Sequence, residues 1–204
     1  MTGLPDTLEA RLSAAAPRGI DYSQSASRQG SVTVWCGLAD SEDIFAVGKA
    51  LRALGARLAM VSALQLPKPE AEDEEEPAEG EAEAEQKEAA PQTFGGTPID
   101  GSSYEIDYHF ALGGDFLTVI AYVPRGGSVP SLTPLFRSAN WPEREIMEIY
   151  AIVVRDHPDP RRLFLDPAID GAVLERLIPY STLVNAASTK ELWDKVAAAK
   201  GGAQ

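Results

Sequence analysis

The chain has 204 residues, 44% of them hydrophobic, enough for one core of ordinary size with some chain left over. Its formal net charge of −13 is local in origin: eleven acids and two lysines lie between Lys68 and Glu88, and the remainder carries only −4. No basic face suits nucleic-acid phosphates, no apolar run reaches the roughly 18–20 residues that span a bilayer, and one cysteine, Cys36, excludes an intrachain disulfide.

The opening MTGLPDTLEARLS carries acids early and lacks the basic-then-apolar order of a secretory signal, so a cytoplasmic protein is expected. Asp6 with Glu9 suggests a helix start, with Leu4, Leu8 and Leu12 on one face and an end near Pro17. Ser31 to Leu38 alternates as a strand, placing Cys36 with Val32, Val34 and Leu38 on its apolar side, as an inert buried thiol. Asp40 and Ser41 offer caps for a helix with Ile44, Val47, Leu51 and Leu54 inside, ended by Gly55. A second strand follows from Ala56 to Leu66.

Residues 68–97 are acidic and proline-bearing, with little to bury, and read as a disordered insert between residues 1–67 and 98–166. Tyr104 to Leu112 then alternates clearly. Tyr104, Ile106, Tyr108 and Phe110 face one way; Glu105, Asp107 and His109 face the other. Gly113, Gly114 and Asp115 turn the chain into a return strand, Phe116 to Val123, which makes a β-hairpin. Glu105, Asp107 and His109 share a face, but zinc wants three or four ligands and only His157 and Cys36 could add to them, so a solvated strand face is the better reading. Pro124 to Pro130 reads as a turn, and Ser131 as the cap of a short helix through Arg137.

The stretch from Asn140 to Asp166 combines charge, aromatic rings and proline. Asn140 and Glu143 fit a capping box for a helix reaching about Tyr150, with Ile146, Ile149 and Tyr150 on its apolar side and Arg144 four residues before Glu148. Asp156-His157-Pro158-Asp159-Pro160 is a rigid turn in which Asp159 can cap a second short helix, projecting Arg161 and Arg162 where carboxylates would have to complete the set. His157, Asp159 and Glu145 are acid/base residue types, but no nucleophile motif, phosphate loop or metal set accompanies them.

Ala139, Asn140, Trp141, Glu143, Arg144 and Glu145, followed by His157, Pro158, Asp159, Arg161 and Arg162, resemble the double motif of the 30 kDa subunit of complex I, the NADH:quinone oxidoreductase. The likeness covers roughly residues 100–166. Pro142 stands where that family usually has an aromatic, Glu148 where it has aspartate, and Ala151 where it has glycine. The family's Gly-His-Pro-Leu-Arg-Lys-Asp-Phe-Pro continuation is replaced by Asp170 to Pro179, a departure that suggests the related subunit of membrane-bound, energy-converting nickel–iron hydrogenases.

The resemblance implies a non-catalytic subunit of a peripheral arm on the cytoplasmic face of the inner membrane, touching the membrane only through its complex. It implies no cofactor in this chain. Iron–sulfur clusters, and a nickel–iron centre in a hydrogenase, would sit in partner subunits, and the chief partner would be the homologue of the hydrogenase large subunit. Asn140, Trp141, Glu143, Arg144, Glu145, Glu148, His157, Asp159, Arg161 and Arg162 would form the interface. The expected fold is α+β: a mixed sheet of about four strands with helices mainly on one face, and a helical tail over 167–204. In that tail Ser188 and Glu191 form a capping box before Leu192, Trp193 and Val196.

Overall fold

The computed structural model describes residues 3–69 and 90–166. In chain order these form α1 (Leu8–Ala15), β1 (Ile20–Ala26), β2 (Val32–Leu38), α2 (Ile44–Ala53), β3 (Arg57–Gln65), β4 (Ser103–Leu112), β5 (Asp115–Pro124), β6 (Ser128–Pro130), α3 (Asn140–Ile149) and β7 (Val153–Arg155). Chain contacts group Met1–Leu163 as one unit and Phe164–Gln204 as another, and the fold below is that of the first. The tail expected over 167–204 and residues 70–89 of the insert lie outside the described residues.

The sheet runs β1-β2-β5-β4-β3. The hairpin β4–β5 lies inside it, in the register the alternation requires, with Leu112 opposite Asp115 across Gly113 and Gly114. Both glycines have positive φ, 63° and 103°, the geometry that a two-residue hairpin turn demands. β2 runs parallel to β5, while β1 and β4 run antiparallel to their neighbours, so the sheet is mixed.

One face carries the core. Val34, Cys36 and Leu38 lie beside Leu117, Val119 and Ala121, then Ile106, Tyr108 and Phe110. Leu8 and Leu12 of α1, Ile44, Val47 and Leu51 of α2 and Ile146 of α3 join the same cluster. The α+β class, the mixed sheet and the helical layer all agree with the sequence reading. Cys36 is fully buried, and burial pushes its thiol up to about 12, as expected of an inert core thiol.

Several local expectations give way. β1 is an additional strand: IDYSQSA is polar because it forms an edge with five of its seven residues exposed, so it shows none of the apolar alternation that marks β2. α1 begins at Leu8 with Thr7 in the N-cap position and no side-chain cap, so Asp6 does not serve. Residues 90–97, read as part of the insert, include a bridge between Gln92 and Pro98 and a Thr93 amide bonded to the Thr97 carbonyl at 3.0 Å. No helix forms from Ser131 to Arg137; the chain makes turns there and only the 3-10 turn Arg137–Ala139 before α3. The Pro124–Pro130 loop contains β6, which pairs in parallel with β7. Among the described residues no helix is long and apolar enough to cross a membrane.

Candidate functional site

The parallel pair β6–β7 sets the geometry of the charged stretch. Parallel strands end on the same side, so the turn after Pro130 and the loop after Arg155 leave the small sheet together, and the Ser131 amide donates to the Arg155 carbonyl at 2.9 Å. Leu132 is drawn in against α2, where Gly48 has no side chain: a Cβ there would meet Leu132 at 2.8 Å. The Ser131–Thr133 turn and the His157–Arg162 loop thus flank the first turns of α3.

Glu143 fills the space between them. It is only 1% exposed, although it carries a carboxylate. Its Oε1 accepts from the Leu132 amide at 2.6 Å, and its Oε2 from the Ser131 and Thr133 hydroxyls at 2.6 and 2.7 Å. Three donors of this length replace the water a buried carboxylate gives up. The capping box expected between Asn140 and Glu143 does not form. The 3-10 turn leads directly into α3, so the Asn140 amide already donates to the Arg137 carbonyl, and α3 has no side-chain cap.

His157 closes the other side of the same carboxylate. It is 8% exposed, and its Nε2 lies 3.6 Å from Glu143 Oε2 and 3.3 Å from the Asn140 carbonyl. The Asp159 amide donates to Nδ1 at 3.0 Å, which assigns the ring proton to Nε2. Nε2 therefore ties the loop to α3, while Nδ1 braces the loop's own turn at Asp159.

Arg144 anchors the rest of that loop. It was expected to pair with Glu148, but its guanidinium is directed at the loop: Nε and Nη2 donate to the Arg161 and Arg162 carbonyls, each at 2.7 Å, and Nη1 lies 3.7 Å from Asp159 Oδ2. Glu148 accepts the Leu163 amide at 2.8 Å. Asp159 caps no helix, since none begins at Pro160. It takes the Arg161 guanidinium through both oxygens, at 2.6 and 2.7 Å, and this pairing holds its carboxyl well below the usual carboxylate range.

Of the ten residues singled out from sequence, Glu143, Arg144, Glu148, His157 and Asp159 meet in one continuous polar knot, joined by the Asn140, Arg161 and Arg162 carbonyls. Trp141, Glu145 and the Arg161 and Arg162 side chains point outward. Trp141 is 69% exposed and borders a concavity of about 500 Å³ lined also by Thr133, Arg137, Asn140 and Pro158. The Ser131–Thr133 donors are functional partners that sequence reasoning missed. A signal for them existed: Glu143, Ile146 and Tyr150 follow i, i+3, i+7 spacing, which already put Glu143 on the buried side of α3.

On the hairpin, His109 bonds Thr118 Oγ1 at 3.0 Å and Ser62 Oγ at 3.2 Å, and burial pushes its pKa down. No group of three metal-ligating side chains occurs among the described residues.

A family model described as respiratory-chain NADH dehydrogenase, 30 Kd subunit, matches residues 39–182. An NADH-quinone oxidoreductase subunit from Rhodopseudomonas palustris (strain TIE-1) is 37% identical over 89 residues, 43% of this chain and 44% of that protein. The mitochondrial NADH-ubiquinone oxidoreductase 30.4 kDa subunit of Neurospora crassa is 38% identical over 63 residues, 31% of this chain and 22% of that protein. The matches thus span less than half the length of these relatives. Among solved structures, the trypsin-resistant fragment of Nqo5 (1-134) aligns with a TM-score of 0.47 at 22% identity, over 74% of this chain and 98% of the fragment. A membrane-bound sulfane sulfur reductase, an archaeal respiratory membrane complex, aligns with a TM-score of 0.48 at 10% identity, over 89% of each chain.

Proposed function

The chain belongs to the respiratory-chain NADH dehydrogenase 30 Kd subunit family, and on that premise we propose that it is a non-catalytic assembly subunit in the peripheral arm of a complex I-like oxidoreductase. In this reading it sits on the cytoplasmic face of the inner membrane, holds no cofactor, and docks on the subunit related to the hydrogenase large subunit, while iron–sulfur clusters in partner subunits carry the electrons. The parent complex is of the NADH:quinone oxidoreductase type.

The observation that carries the reading is Trp141. It stands 69% exposed on a helix whose neighbouring charges are satisfied internally. An indole held in water on a rigid support, beside a concave surface, has the character of an interface anchor. The knot beneath it supplies the rigidity, because Glu143, Arg144 and His157 fix the helix and the loop that flank it. Both nitrogens of His157 are occupied and Asp159 is held by Arg161, which argues against an acid/base role for them.

The test is co-expression with the large-subunit homologue and pull-down. Trp141→Glu alters an exposed side chain outside the internal pairs and should leave the Tm of the isolated chain within about 2 °C, whereas Arg161→Glu also breaks the Asp159 pair and should lower it; each should weaken assembly at least ~30-fold, the loss of an anchor of about 2 kcal/mol. Normal assembly of both variants overturns the proposal. Assays of the purified complex for NADH-driven quinone reduction, against bound nickel and hydrogen evolution, separate the oxidoreductase from a hydrogenase.

A further inference from the structure

Among the described residues the face of the sheet opposite the core has no helix over it; the loop at Phe94 and Gly95 lies against Gly37 and Tyr122 and leaves Trp35, Met60 and Leu64 exposed. Residues paired across neighbouring strands point to the same side, so the register lays this face out directly. One row runs Leu64, Glu105, Tyr122; the next runs Ser62, Asp107, Ile120, Gly37, Asp21; a third runs Met60, His109, Thr118, Trp35, Ser23.

Two properties of these rows do not suit a free surface. The first is apolar exposure: Met60 is 54% exposed, Trp35 42% and Leu64 42%. The second is unbalanced charge. Burial pushes the Glu105 and Asp107 carboxyls up, Glu105 also through the charge of Asp107, and both carboxylates and Asp21 bear on Tyr122. Asp107 Oδ1 is sealed from solvent with no hydrogen-bond partner, an arrangement that costs about 1–3 kcal/mol. Among the described residues no basic side chain forms an ion pair with Asp21, Glu105 or Asp107. The other titratable groups of this face are Tyr122, His109 and, opposite Ala111, Arg57.

We propose that this face is a second docking surface, separate from the Trp141 surface, which takes a segment of a neighbouring polypeptide with a lysine between apolar side chains. The lysine seats on Glu105 and Asp107, and its apolar neighbours cover Trp35, Met60 and Leu64. Charge complementarity selects this occupant. An acidic or purely apolar segment would leave the carboxylates without a countercharge, whereas an ammonium group supplies the donor that Asp107 Oδ1 lacks and a positive charge for Glu105, which otherwise has the Tyr122 hydroxyl.

The proposal rests on the chain working within an assembly, and one experiment reads both surfaces. The native complex, purified through a tag on this chain, and the isolated chain are exposed to hydroxyl radicals, and the complex is also treated with a carbodiimide that couples carboxylates to lysines in direct contact. The expected result is a fall of at least fivefold in oxidation of Trp35 and Met60 on assembly, with a crosslink from Glu105 or Asp107 to a lysine of a different polypeptide. E105Q/D107N should abolish both the protection and the crosslink while leaving the Tm of the isolated chain undiminished. Unchanged Trp35 and Met60 oxidation overturns the proposal, as does protection by a second copy or by residues 167–204 of the same chain, or protection that survives E105Q/D107N. If Trp141 is protected and Trp35 is not, the assembly role stands and this surface falls; the reverse pattern removes the Trp141 surface instead.

Discussion

Glu143 is the residue whose removal should cost the isolated chain most. In Glu143→Ala the Leu132 amide and the Ser131 and Thr133 hydroxyls lose acceptors at 2.6, 2.6 and 2.7 Å inside a site that is almost closed to water. Hydrogen bonds to a charged group contribute about 1.5–3 kcal/mol each, but desolvation of the carboxylate offsets part of the gain, so the net loss should be about 3–5 kcal/mol. For a chain of this size that is a fall in Tm on the order of 10 °C. Glu143→Gln keeps one acceptor for the Leu132 amide, and its new N–H groups can donate to the two hydroxyls, which can rotate to accept. It should cost only about 1–2 kcal/mol, chiefly the loss of charge assistance. Equilibrium urea unfolding followed by tryptophan fluorescence measures both variants. A cost below about 1 kcal/mol for alanine, or equal costs for alanine and glutamine, would refute the reasoning, because water would then be satisfying the donors.

Three further outcomes follow from the same structure. Ala151 has φ 53°, where an L side chain costs about 1–2 kcal/mol; Ala151→Gly relieves this, loses part to added backbone entropy, and should gain about 0.5–1 kcal/mol by urea unfolding. Cys36 should react with a thiol reagent at pH 8 at least ~100-fold more slowly in the native chain than in urea; with its folded pKa pushed up to about 12, the stability it contributes is present below the unfolded thiol value of about 8.5 and lost as pH rises beyond it. Burial raises the Asp107 pKa, so the folded state binds its proton more tightly and wild-type stability falls as pH rises through the carboxylate range. Asp107→Asn lacks that fall, and its Tm should exceed wild type at pH 7 by a margin that shrinks toward pH 4.

The elements that were legible in the sequence are those whose apolar period is long enough to register. The β4–β5 hairpin alternates over ten residues per strand, and α2 repeats its apolar spacing up to Gly55. β1 escaped because an edge strand needs no apolar face, and β6 and β7 because three residues make no period and their partners lie 25 positions apart. Within the site, the clustering of charge pointed to the right residues but to the wrong bonds. Local rules paired Asn140 with Glu143 and Arg144 with Glu148, whereas the structure sends Glu143 to a turn ten to twelve residues upstream and Arg144 to carbonyls seventeen and eighteen residues downstream. A local cap is the best available partner only while the helix is considered alone. Once β6–β7 brings two loops alongside, a buried site with several convergent donors outcompetes it.

The two sides of the molecule differ in how they treat buried charge, and the difference separates structural from functional roles. Around Glu143 the carboxylate has its donors, and Arg144 its acceptors, inside the chain, so the knot adds stability before any partner arrives, and its loss should be felt in the isolated protein. On the opposite sheet face, one oxygen of Asp107 is sealed without a partner and Trp35 and Met60 meet water, an arrangement that lowers the stability of the isolated chain. A sequence free to vary would remove such a cost with one asparagine or threonine, at no loss to the hairpin register that the other face of β4 dictates. Retaining the cost is reasonable only where something outside the chain repays it. By this criterion the density of charge around α3 is mainly scaffold, with Trp141 and Arg161 as its outward contacts, while the less conspicuous Glu105–Asp107 pair is the better marker of a partner.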